Sequence, residues 1–171
     1  MMIYIVRNLP NRLRGFKAEI FRVANLGVLS ELSAVHHKAN GGIINLGVLG
    51  RRVITDAGVA FLVDAFQNLV EIENMNWHAS GTDNTAENVT DTALGVEVAT
   101  RVNGTQSEPA ANQYRTVATI PYTATLAIVE HGIFSANAAG TLWDRTVFAA
   151  INVNNGDSIQ FTYTLTVNAG G

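Results

Sequence analysis

Four histidines, His36, His37, His78 and His131, and the dipeptide Glu130-His131 are the residues here whose chemistry could move a proton or hold a metal. Their spacing argues against both uses. Neighbouring residues on a strand point to opposite faces, so His36 and His37 form no ligand pair, and Glu130 cannot orient His131 without a bulge. Glu130 is instead expected to meet a basic partner such as Arg145, inside a sheet or at a subunit contact. The chain has no cysteine, which removes disulfides, thiolate metal sites and a thiol nucleophile. No Gly-x-Ser-x-Gly elbow, phosphate loop or dinucleotide fingerprint occurs. A non-enzymatic protein with no catalytic, cofactor or metal site is therefore expected. Trp143-Asp144-Arg145 is read in two ways, as a local salt bridge at a strand end or as an interface anchor, since Trp and Arg are enriched in binding hot spots. Trp77, in Asn76-Trp77-His78, is read likewise: interface residue, or cap of the strand that follows.

The elements that would position these residues are mostly strands. In Ser158 to Asn168, Ile159, Phe161, Tyr163, Leu165 and Val167 alternate with Gln160, Thr162, Thr164 and Thr166, the two-residue period of a half-buried strand. Asn154-Asn155-Gly156-Asp157 separates it from Thr146 to Val153, and an Asn-Gly pair between apolar runs predicts a hairpin. Gln113 to Ile120 and Thr123 to Ser135 give two more strands, whereas Ala79 to Asn112 is polar and rich in turn residues, with surface loops expected on either side of a short strand or helix around Asp91 to Arg101. Several short strands without helical crossovers predict a mainly β fold, an antiparallel β-sandwich with one body helix and an N-terminal arm. The helix is expected over Asp56 to Asn68, with Thr55 as N-cap and Val59, Leu62, Val63 and Phe66 as a core-facing stripe.

Gly41-Gly42 marks the expected boundary between an arm, residues 1–42, and the body, residues 43–171. Just beyond it, Asn45-Leu46-Gly47-Val48-Leu49 repeats Asn25-Leu26-Gly27-Val28-Leu29, an echo read as two similar strands or as coincidence. Charge divides along the same line. Residues 1–52 carry eight basic side chains against Glu19 and Glu31, a net +6; residues 53–171 carry three against twelve acids, a net −9. Within the arm, Leu13, Phe16, Ile20 and Val23 share one helical face, with Arg12, Arg14 and Arg22 largely off it. A nucleic acid is not the expected partner, because apolar residues dilute the basic ones and the acidic body repels a polyanion. Nor is a membrane, since the stripe is short and lacks Trp, and no apolar run approaches the length of a span. The arm is expected to dock on a neighbouring subunit, with Leu13, Phe16 and Ile20 buried and the arginines at an acidic rim.

Arg51-Arg52-Val53-Ile54-Thr55-Asp56-Ala57-Gly58, Tyr114-Arg115-Thr116-Val117-Ala118-Thr119, Glu130-His131-Gly132-Ile133-Phe134, Leu142-Trp143-Asp144-Arg145-Thr146-Val147-Phe148 and Gly156-Asp157-Ser158-Ile159-Gln160-Phe161 together resemble a recurrent family of tailed-bacteriophage virion structural proteins. The resemblance spans about residues 45–171 and leaves out the arm. It implies a place in the virion, with assembly in the host cytoplasm, and no catalysis. Capsid decoration, as a cement protein, is the leading expectation, and a tail, neck or fibre module the alternative. The implied partners are the major capsid protein or other virion subunits, together with further copies in a homo-oligomer, expected to be a trimer. From other classes, a carbohydrate-binding module would expose several aromatic rings in one plane, and a cell-wall hydrolase would need a cleft holding Glu130 and a second acid.

Overall fold

The structure is a computed structural model that describes residues 27–51, 53–67, 69 and 74–168. The arm residues Arg12, Leu13, Arg14, Phe16, Ile20 and Arg22 lie outside these. The described chain is an antiparallel β-sandwich, the expected class. Its strands are β1 (Gly27–His37), β2 (Ile43–Gly50), β3 (Val53–Ile54), β4 (Trp77–Gly81), β5 (Glu97–Asn103), β6 (Thr105–Ala110), β7 (Gln113–Pro121), β8 (Leu126–Phe134), β9 (Leu142–Val153) and β10 (Ser158–Asn168); one helix, α1 (Asp56–Phe66), follows β3. One five-stranded sheet has the order β2-β1-β10-β7-β6 and the other β3-β9-β8-β4-β5.

Alternation builds the core. Leu32, Ala34 and His36 of β1 face inward, as do Ile159, Phe161 and Tyr163 of β10, while Gln160 and Thr162 between them face out. From the second sheet Ile128, Ile133, Trp143, Ile151 and Val153 complete the same cluster. β8 is buried from Ile128 to Phe134, on both faces. Its inner face meets the first sheet. Its outer face is covered through Leu94, which packs with Ala79, Phe134 and Leu142 and comes from the loop between β4 and β5. The polar region after Ala79 thus holds two strands, β5 and β6, and a loop that serves as a lid over the second sheet.

Three expectations change. The arm does not extend to residue 42: β1 pairs with β10 along its whole length and with β2 on its other side. Gly41 and Gly42 lie in the turn between β1 and β2, closed by Lys38 N–H to the Gly42 carbonyl at 2.7 Å. Gly27-Val28-Leu29 of the first copy of the repeated motif and Leu46-Gly47-Val48-Leu49 of the second fall on these adjacent strands. Asn154 to Asp157 is not a hairpin loop either, because β9 and β10 belong to different sheets. Gly156, at φ +88°, and Asp157 turn the chain across the sandwich, and the Tyr122 backbone clamps the turn through N–H to the Asp157 carbonyl and C=O from the Gly156 N–H, both 2.9 Å. The helix starts as expected, with Thr55 Oγ1 accepting from Gly58 N–H at 3.0 Å. Its stripe does not face the core. Gly58 is the buried residue of α1, and a Cβ there would come within 2.9 Å of the Trp143 ring. That close approach turns Val59, Leu62, Val63 and Phe66 outward.

Candidate functional site

Inside the subunit the titratable residues form four bonded groups. Glu130 and His131 face opposite sides of β8, as the strand period requires. Glu130 lies on the outer face, 0% exposed, and accepts from Arg145 Nε at 2.9 Å and from the backbone N–H of Asp83, Gly95 and Val96 at 3.2, 3.0 and 2.9 Å. Arg145 also reaches Asp91 at 2.9 Å and the Thr85 carbonyl at 3.2 Å. The pair expected from sequence is therefore present, and it ties the covering loop to β8 and β9.

On the inner face His131 Nε2 lies 3.0 Å from His78 Nδ1, whose Nε2 lies 3.1 Å from Thr116 Oγ1. Two neutral rings satisfy this chain with one N–H between them; two imidazolium ions would set N–H against N–H. Burial holds His78 down at about 3, and burial together with the neighbouring His78 holds His131 well below the ordinary histidine value. Asp144, 1% exposed, is the third group. Burial raises its pKa to about 6 although Ser30, Thr146 and Tyr163 hydrogen-bond it. Trp143 donates to the Tyr163 hydroxyl at 2.8 Å. At the far end of β1, His36 is buried and lies 2.9 Å from the Asp157 carboxylate, whereas His37 faces the other way and is half-buried. Backbone donors from Ala39 and Asn154, with His36 beside them, hold Asp157 at about 2.

Among the described residues no group of three or more His, Cys, Asp or Glu side chains could hold a metal ion. No helix among them is long and apolar enough to cross a membrane. Of the body residues expected at an interface, Trp143 and Arg145 are 7% and 3% exposed and are engaged inside the subunit, so as placed they present no contact surface. Trp77 is half-buried against the Ala79 and Phe134 cluster.

What the surface offers instead is apolar. Val59, Leu62, Val63 and Phe66 of α1, with Leu69 just beyond it, are exposed, Phe66 at 80%. A second apolar area follows β2, an edge strand without a charged residue, where Ile43, Ile44 and Val48 are exposed. Between β2 and β9 opens a cleft of about 520 Å³, lined mainly by Ile44, Leu46, Val48, Leu49, Phe148 and Ile151. Sequence reasoning assigned the α1 stripe to the core and read Asn45 to Leu49 as a strand without assigning it an exposed apolar surface. A signal was present in both: α1 carries two aspartates among otherwise apolar or glycine residues, so both sides of it ask for cover, and β2 lacks the charges that usually protect an edge.

No protein-family model, curated protein or solved structure matches the chain, and no such match links it to tailed-phage structural proteins.

Proposed function

We propose that this chain is a non-enzymatic structural subunit that acts by docking onto other protein subunits, in its most specific form a capsid decoration protein of a tailed phage, with a tail, neck or fibre module as the alternative. The virion assignment rests on the resemblance of residues 45–171. The docking reading rests on α1, which is anchored at Gly58 against Trp143 and turns a row of large apolar side chains to solvent. A contiguous patch of this kind marks a contact surface on a soluble subunit. The interior chemistry agrees with it. Glu130, the acid a hydrolase would call on, is fully enclosed and bonded within the subunit. Among the described aromatic residues only Phe66 is exposed, which gives no plane of rings for a sugar and places the one free ring on the docking stripe.

Sedimentation velocity across a concentration series tests this. The wild-type chain is expected to associate, and Phe66→Asp to shift it toward monomer with an unchanged far-UV spectrum and melting temperature. If Phe66→Asp assembles as the wild type does, α1 is not the docking surface.

A further inference from the structure

The outward stripe of α1 and the N-terminal segment match in spacing and charge. Val59, Leu62, Phe66 and Leu69 follow one another at intervals of three, four and three residues, and so do Leu13, Phe16, Ile20 and Val23. On a helix Leu13 to Val23 would cover about 15 Å, while Val59 to Phe66 covers about 10 Å of α1 and Leu69 lies just beyond its end. Residues 12–23 carry Arg12, Arg14, Lys17 and Arg22 against Glu19, a net +3, whereas α1 carries Asp56 and Asp64 and no basic residue. A second α1 laid on the first would oppose acid to acid. A basic amphipathic segment would bury the same apolar row and bring opposite charges to its rim.

The tether bears on whose helix it reaches. Three residues separate Val23 from Gly27, where β1 begins, and they span at most about 14 Å. Gly27 belongs to the first sheet, opposite Asn168 of β10, while α1 packs on β9 of the second. The stripe faces away from the body, on the side of α1 opposite the Gly58 contact with Trp143, so a segment laid on it from Gly27 must pass round a helix about 10 Å across and still lay down its own row. So short a tether suits the helix of an adjoining copy better than the chain's own, and cross-linking separates the two. We propose that the α1 stripe of one copy is covered by residues 12–23 of an adjoining copy. Two copies that exchange arms make an isologous dimer, and copies linked head to tail close into a ring when the rotation permits. This rests on the reading of the chain as an assembling subunit and adds to it the identity of the occupant.

The absence of cysteine from the sequence makes the test clean. Full-length Lys17→Cys and Gln67→Cys chains, of which one bears a mass tag, are mixed and treated with a short bis-maleimide. The expected product joins the two different chains and exceeds the like-with-like products. Full-length Phe16→Asp should lower the association constant at least tenfold with its melting temperature unchanged. Absence of the mixed product overturns the proposal, as does a Lys17→Cys/Gln67→Cys double variant that cross-links only within itself. Wild-type association that persists undiminished in Phe16→Asp also overturns this occupant while leaving the assembly reading standing. A wild-type chain that sediments as a monomer at every concentration overturns the assembly reading itself.

Discussion

Arg145 and Glu130 show how a charged pair can be structural in this protein. Both side chains are almost fully enclosed, at 4% and 0% exposure, and removing one partner leaves the other charge buried without compensation. Arg145→Met is expected to lose about 3–5 kcal/mol, and Glu130→Gln/Arg145→Met to lose less than the single variant. Urea denaturation of the double and of both single variants checks this, and a double loss equal to the sum of the two single losses would show that the pair carries no coupling. The interior histidines and Asp144 act in opposite directions on the pH dependence. For His78 and His131 the folded pKa lies well below the unfolded one, so their contribution is complete above about 6.5 and is lost as pH falls, for His78 down to about 3. For Asp144 the folded pKa, about 6, lies above the unfolded one, so its contribution is present below about 3.8 and is lost as pH rises through 6. Near pH 5 the unfolded chain therefore gains about two protons at the histidines and loses about one at Asp144. Stability should fall on acidification by about 1.4 kcal/mol per pH unit, and about twice as steeply in Asp144→Asn. Equal slopes from denaturation at pH 4.5, 5.0 and 5.5 would contradict this assignment. Glu130 with Arg145 was legible because each lies in a strand of clear period and an enclosed charge needs a partner. His78 with His131 was not. Fifty-three residues separate them, and only the pairing of β4 with β8 brings them together.

At the scale of elements, strand periods could be read and strand partners could not. β10 alternates so regularly that its inward set was evident, and Phe161 is 0% exposed. Phe161→Ala should cost about 3–5 kcal/mol, the usual range for emptying a packed aromatic site, with the midpoint of urea unfolding as the measure. A variant as stable as the wild type would mean that the two sheets close over the gap. Yet the Asn-Gly turn before β10 suggested a hairpin with β9, and here local turn chemistry misleads. Asn-Gly supplies the positive φ that a tight turn needs, but what fixes this turn is distant: Tyr122 clamps its backbone and Ala39 donates to Asp157. The helix misled for a related reason. Its apolar period was correct, but period does not say which face is covered, and Gly58 brings the opposite face against Trp143.

Across the whole molecule the distribution of charge and the position of β1 set what can be removed. Residues 1–26 hold five basic side chains and one acid, so the chain without them has a net charge near −7 in place of −3. Removing them deletes none of the described strands. Removing residues 1–40 is another matter, because β1 is the second strand of its sheet, paired to β10 from Gly27 to His37 and to β2 beyond it. That cut also takes away Leu32, Ala34 and His36 from the interior and leaves the inner faces of Phe161 and Tyr163 without their neighbours. The edge of β10 would then be open to solvent, an unpaired template for other chains. A chain beginning at Gly27 is therefore expected to unfold in one cooperative transition close to that of the full chain, and a chain beginning at Gly41 to lose that transition and aggregate. Thermal unfolding followed by circular dichroism separates the two. If the chain from Gly41 melts cooperatively at the full-length temperature, β1 is an attachment after all and the sandwich must close without it.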